Sequence, residues 1–290
     1  MKSIFKSEEG ERAVRERYLA ILKHWPVPNE QVRVLTREGE TFVVICGAES
    51  APALVLLHGS AATSAMWMSD IAAWSAHFRI YAVDMIGEPG LSAPSRPPLA
   101  SEAHALWLDD VMEGLHIKRA SLVGVSLGGW LAVDYATRRP ERAESLVLLC
   151  PGGVGRQRGG FIFKAIALRM LGRWGERKTQ ELVFGRAIAN PSPALRYFME
   201  YAALIHRNFR YRTVKLPVFS DDALKRLTMP LMAIVGGRDV LLDSADTRRR
   251  LERLLPHTEI HYLPEVRHFI PSQTTPILDF LMGKAVSQRR

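Results

Sequence analysis

A serine flanked two residues on either side by glycine, Gly124-Val125-Ser126-Leu127-Gly128, closes an apolar run that begins at Ala120. Gly-x-Ser-x-Gly in that position predicts a nucleophile elbow, a tight strand-to-helix turn that lifts the serine hydroxyl off a sheet on a strained backbone. Gly124 and Gly128 carry no Cβ to collide across the turn, and Gly129 lets the departing helix lie close to the strand. A hydroxyl is a weak nucleophile until a base takes its proton, and imidazole, with an unperturbed pKa of about 6.5, is suited to do so near neutral pH. His268, in Pro264-Glu265-Val266-Arg267-His268, is the candidate base. An acid must orient that ring and stabilise the imidazolium that forms. Asp239, 29 residues upstream in Gly236-Gly237-Arg238-Asp239, is the first choice. Asp243 and Glu265 compete, but Asp243 lies a turn further into the next segment and Glu265 is too close in sequence to His268 to face it easily. No carboxylate falls between Leu146 and Gly155, which removes the strand after the elbow helix as a source of the acid.

Acyl chemistry also needs fixed donors for an oxyanion. The Leu127 amide is in place by construction, at the first turn of the helix that leaves the elbow, where the helix dipole is favourable. His58-Gly59-Ser60 and the small residues after it follow another apolar run, Ala53 to Leu57, so a second loop stands at the same kind of position.

The elements that must position these residues alternate between strand-like apolar runs and helix-like periodic ones, which predicts an α/β fold with a mostly parallel sheet of about eight strands and helices on both faces. The expected strands are Val32 to Leu35, Thr41 to Cys46, Ala53 to Leu57, Arg79 to Val83, Ala120 to Val125, Ser145 to Leu149, Leu231 to Val235 and Glu259 to Leu263. From the third onward their unbroken apolar character predicts cover on both faces. Helices are expected at Glu9 to Trp25, Ser101 to Leu115 and Gly129 to Thr137. Ligands of open parallel sheets bind beyond the carboxyl ends of the strands, and the serine, the acid and the histidine all fall at such ends, in that chain order.

Order and motifs together closely resemble the α/β-hydrolase family over about residues 30 to 285, in its serine-nucleophile branch, carboxylesterase-like or C–C hydrolase-like. Three motifs carry the resemblance: His58-Gly59-Ser60, Gly124-Val125-Ser126-Leu127-Gly128 and Gly236-Gly237-Arg238-Asp239. The stretch from Asp84 to Ser92 is similar to the family's glycine-rich loop, one residue longer than the commoner version, and reads as structural. The resemblance implies a Ser126-His268-Asp239 triad and makes the Ser60 amide the second oxyanion donor. It implies hydrolysis of a carboxylic ester of a small or medium apolar substrate through an acyl-enzyme on Ser126. C–C bond hydrolysis of a dienoic keto acid, or a triad-bearing ligand sensor with slow turnover, is the alternative.

With 290 residues, 47% apolar and 24% charged, the chain has the composition of a globular protein with one large core. It divides into an N-terminal helical extension (1–28), a core (29–153 and 229–290) and an inserted helical lid (154–228), far longer than a crossover requires. Trp67 and, within the lid, Phe161, Trp174 and His206 are candidates for a substrate pocket. The lid carries 15 Lys or Arg against 5 Asp or Glu, leaving 24 and 25 of the chain's 39 and 30 elsewhere, so the whole net charge of +9 originates there. A solvated surface, steering of an anionic substrate and contact with an anionic membrane are the readings.

Cys46 and Cys150, the two cysteines, read as small core residues rather than a disulfide or zinc framework. No ligand spacing suggests a metal, no phosphate loop a nucleotide, and no recognition module a nucleic acid, so no cofactor is expected. A cytoplasmic monomer or homodimer without an integral membrane segment is the expectation.

Overall fold

The computed structural model describes residues 3–160, 167–168, 170–185, 190–212 and 214–283. Eight strands form one sheet: β1 (Asn29–Thr36), β2 (Gly39–Cys46), β3 (Ala53–Leu57), β4 (Arg79–Val83), β5 (Ala120–Val125), β6 (Ala143–Leu149), β7 (Leu231–Gly236) and β8 (Glu259–Leu263). Their order is β1-β2-β4-β3-β5-β6-β7-β8. The β1–β2 and β2–β4 pairs are antiparallel and the other pairs parallel. The α/β architecture is therefore the expected one, and four of the eight strands have the expected bounds.

Period-2 alternation along the inner strands splits the core into two layers. Val55 and Leu57 of β3 face a cluster that includes Trp107 and Leu108 of helix α3 (Ala103–Gly114) and Trp130 to Ala136 of helix α4 (Leu127–Arg138). Leu54 and Leu56 face the opposite cluster, shared with helix α1 (Glu8–Leu22) and helix α2 (Met68–Trp74). Full burial of such a leucine stabilises by roughly 1.5–3 kcal/mol relative to exposure, so one-residue slips of register are strongly disfavoured.

One strand departs from expectation. β8 is half-buried along its whole length, because it is the edge of the sheet. The cover on both faces that was expected of it is therefore not found.

Helix α1 starts at Ser7, whose side chain accepts from the Gly10 N–H, and acidic Glu8, Glu9 and Glu11 complement the helix dipole. Its Val14, Tyr18, Ile21 and Leu22 are buried against the body. Between β6 and β7 the described helices are α5 (Gly172–Phe184), α6 (Pro193–Asn208) and the short α7 (Asp221–Leu224). Tyr18 of α1 stacks on Tyr201 of α6 at 5.9 Å, and Phe5 pairs with Phe209, so the N-terminal segment braces the insertion. Helices α8 (Ser244–Leu254) and α9 (Thr274–Leu281) complete the described elements. No helix among the described residues is long and apolar enough to cross a membrane.

Candidate active site

β5 delivers Ser126 at the start of α4 with φ +52° and ψ −105°, outside the ordinary regions for a non-glycine residue. Neighbouring backbone over-determines this conformation. The Ser126 N–H donates to the Leu149 carbonyl at 2.9 Å, and its own carbonyl accepts from Trp130 and Gly152. The elbow glycines are obligatory in the literal steric sense: a Cβ on Gly124 would stand 2.4 Å from the Gly128 carbonyl oxygen, and one on Gly128 2.1 Å from that of Leu57.

Past β7, Asp239 is fully buried. Its Oδ1 accepts from the N–H groups of Leu241 and Leu242 at 2.7 and 3.0 Å, which leaves Oδ2 to receive His268 Nδ1 at 2.7 Å. Because a carboxylate only accepts, Nδ1 carries the hydrogen, and Nε2 of the neutral ring offers its lone pair to Ser126 Oγ, 3.1 Å away. The loops bearing acid and base are stitched to one another, since Gly237 and Arg238 donate to the carbonyls of Leu263 and Val266. Gly236 permits this approach: a Cβ there would meet the Arg267 carbonyl oxygen at 2.2 Å.

The competing acids are engaged elsewhere. Asp243 caps α8 by accepting from the Asp246 N–H, and the exposed Glu265 is ion-paired with Arg238.

Beside the elbow runs the loop after β3. An added Cβ on Gly59 would be 3.9 Å from Ser126 Cβ, so the two backbones are neighbours. Among the described residues neither the Ser60 nor the Leu127 N–H has an acceptor. His58 shapes this loop. It is fully buried, its Nδ1 donates to the Gly59 carbonyl at 2.8 Å, and its Nε2 accepts the Met85 N–H at 2.9 Å, so both partners require the neutral ring. Burial also pushes its pKa down.

Three residues enter the site that the sequence reading left aside. Cys150, expected as inert core, is buried at φ +43° after β6, and burial together with the nearby Asp239 carboxylate pushes its thiol well up. Its Sγ, an Asp239 oxygen and a His268 nitrogen lie within 4.8 Å of one another. The second and third are Glu88, which touches Ser60 and Ala61 from the Asp84–Ser92 loop, and Arg212, which faces Glu88 from the insertion. That loop is therefore not merely structural. An acid within a glycine-rich stretch otherwise free of charge between Met85 and Pro94 was the available signal.

The pocket expectations fare differently. Trp67 is buried, packed 6.0 Å from Trp74 in the core layer under α2. Its large apolar surface is satisfied by the fold itself. His206 is exposed at the end of α6, with Nδ1 2.8 Å from Tyr211 Oη. Trp174, on α5, is 53% exposed. Phe161 lies outside the described residues. The basic insertion is partly neutralised by the core, with Arg156 on Asp246, Arg158 near Asp243 and Arg212 on Glu88.

The family model described as the alpha/beta hydrolase family matches residues 54–280. The carboxylesterase YbfK of Bacillus subtilis is 30% identical over 273 residues, covering 90% of this chain and 91% of the relative. Its crystal structure superposes with a TM-score of 0.80, covering 95% of this chain and 99% of that one. The crystal structure of naproxen esterase from Bacillus subtilis gives a TM-score of 0.80 at 26% identity, over 96% and 99% of the two chains. A meta-cleavage product hydrolase from Pseudomonas fluorescens shares the fold, with a TM-score of 0.66 at 20% identity over 87% and 97%.

Proposed function

Because this chain belongs to the α/β-hydrolase family, we propose that it is a serine esterase that opens carboxylic esters through an acyl-enzyme on Ser126. The observation that carries this reading is the unbroken chain of contacts from Asp239 through His268 to Ser126, 2.7 and 3.1 Å long. His268 Nε2 takes the Ser126 proton as Oγ adds to the ester carbonyl. The Leu127 and Ser60 N–H groups, both without a protein acceptor among the described residues, receive the oxyanion. The imidazolium, held by Asp239, returns its proton to the leaving alkoxide. Water, deprotonated by the same nitrogen, then releases the acid.

The helical insertion serves as a cap, and its exposed Trp174 supports an apolar acyl or alcohol group of small or medium size. Its charge gives weaker support to an anionic substrate, since Arg156, Arg158 and Arg212 face core carboxylates. C–C bond cleavage is the less favoured reading. Two relatives at 30% identity that cover 90% and 87% of this chain are named carboxylesterases, and the meta-cleavage product hydrolase stands at a level of identity that speaks for fold alone.

A fluorophosphonate probe combined with a panel of p-nitrophenyl esters tests the proposal. The chain is expected to take one probe per molecule and to turn over acetate to octanoate esters, and Ser126→Ala to do neither. Ester turnover that survives in Ser126→Ala would overturn it.

A further inference from the structure

A fully buried carboxylate ties the loop that bears the Ser60 amide to the root of the insertion. Glu88 Oε2 accepts the Ala61 N–H at 2.6 Å and the Ser60 hydroxyl at 3.2 Å. Ala61 stands at φ +57°, a left-handed conformation that costs a residue with a side chain of order 1–3 kcal/mol and persists only where surroundings enforce it. Charge-assisted bonds to a carboxylate are roughly twice as strong as neutral ones, and here one lands on the strained residue itself.

On its other side Glu88 Oε1 faces Arg212 Nε at 3.5 Å, and the arginine side chain is itself largely buried. Arg212 reaches over Gly87, where an added Cβ would lie 2.9 Å from its Nη2. Arg96 links the same two stretches, donating to the carbonyls of Gly87 and Arg210 at 2.9 and 2.7 Å. Arg96, His104 and Tyr211 are other titratable groups that feel this pair; burial and the Arg212 charge hold His104 down at about 4, and burial with the Glu88 charge pushes the Tyr211 hydroxyl up. Burial pushes the Glu88 carboxyl up, while the Ala61 N–H and the two arginines oppose that rise.

Burying two charges costs several kcal/mol per ion, and an apolar pair of similar volume often serves stability as well or better. The presence of an ion pair here is therefore weak evidence for a stabilising role. What it contacts is the loop in which Gly59 neighbours Ser126 and the Ser60 N–H has no acceptor among the described residues.

We propose that Glu88 is a positioning residue for the esterase reaction: anchored by Arg212 of the insertion, it sets the 59–61 loop so that the Ser60 N–H meets the developing oxyanion. The inference rests on the serine-esterase reading above. Since the oxyanion exists only along the reaction, the carboxylate acts on kcat and leaves substrate binding nearly untouched.

The test compares the full-length chain with Glu88→Gln and with the charge-free double variant Glu88→Leu/Arg212→Met. Rates are normalised to sites titrated by fluorophosphonate, and melting is followed in parallel. An aryl trifluoromethyl ketone, whose hemiketal with Ser126 places an oxygen anion in the oxyanion position, reports on the loop directly. Per-site kcat is expected to fall about 10-fold in Glu88→Gln and about 100-fold in the double variant, with KM within about threefold, given that one oxyanion donor is worth about 100- to 1,000-fold. The Ki of the ketone should rise by the factor by which kcat/KM falls, a readout that a merely structural role would not move. A folded double variant with kcat and Ki within threefold of the parent overturns the proposal, as does a loss of kcat with an unmoved Ki. Should the double variant fail to fold, Glu88→Gln decides by the same two criteria at its smaller amplitude. Absence of ester turnover in the parent, or its survival in Ser126→Ala, would instead sink the esterase reading, so the two failures are told apart.

Discussion

The carboxyl ends of the central strands and the 154–228 insertion hold their side chains by different means. Ser126 is bonded to the end of β6, the Asp239 N–H donates to Gly236 at the end of β7, the loop leading to His268 is tied at Val266 by the Arg238 N–H, and Asp239 has no exposed surface at all. On α5 and just before it, Met170, Leu171 and Trp174 are 86%, 58% and 53% exposed, and the helix is tied by local bonds such as Lys178 to Glu181. Chemistry that tolerates an error of well under an ångström sits on the rigid region, and adaptable apolar contact sits on the other. Substitutions should therefore act on turnover itself in the first region and on the choice of substrate in the second.

The largest expected effect is at Ser126. Ser126→Ala removes the one oxygen that attacks, so kcat for p-nitrophenyl butyrate should drop by more than about 10⁴-fold with the melting temperature unchanged within about 2 °C. Next comes the acid. Asp239→Asn keeps the shape but presents an amide to Nδ1 and lets the ring take the wrong tautomer, which cost about 10⁴-fold in a well-studied triad. Asp243→Asn, whose side chain caps α8 and can go on capping as an amide, should remain within about threefold. Steady-state kinetics of the pair decides; equal losses at both positions would move the acid.

Gly128→Ala follows. Its methyl group would meet the Leu57 carbonyl oxygen at 2.1 Å, so the elbow must open or the β3 end must move. About 100-fold lower turnover is expected, with a stability loss of roughly 1–3 kcal/mol measured by urea unfolding. Wild-type-like kinetics in this variant would mean that the elbow is not rigid and would weaken the contrast between the regions.

How much of this was legible beforehand follows the same division. Apolar runs bounded by turn residues located β3, β4 and β5 with their observed ends, because inner strands of a parallel sheet are defined by burial that composition records directly; β8 was located with its ends too, though it is half-buried. Ser126, Asp239 and His268 were legible because small residues and strand ends constrain where such groups can sit. Glu88 and Arg212, 124 positions apart, were not: nothing local marks a carboxylate as buried or names its partner across the fold. The burial of Trp67 was not legible for the complementary reason. Its place after the His58-Gly59-Ser60 loop fits a loop position, and only packing against Trp74 reveals it as interior. β8 shows that a strand-like stretch does not report whether the strand is central or at the edge, since edge position is a property of topology.

The smallest effect should come from Trp174, and it sharpens the comparison most. A ring 53% exposed contributes little to folding, so Trp174→Ala should shift melting by no more than about 1 °C, in line with surface substitutions. An acetyl group is too short to need the ring, and kcat/KM for p-nitrophenyl acetate should stay within twofold. An octanoyl chain extends toward the insertion and loses apolar contact; one or two methylenes of lost burial at about 0.8 kcal/mol each give a fall of about 4- to 15-fold. The ratio of the two specificity constants is the quantity to measure, because it cancels errors in active-site concentration. A ratio that does not move would take Trp174 out of the pocket and leave acyl selection to other parts of the insertion, whereas parallel loss on both esters would show that this surface, too, supports the reaction itself.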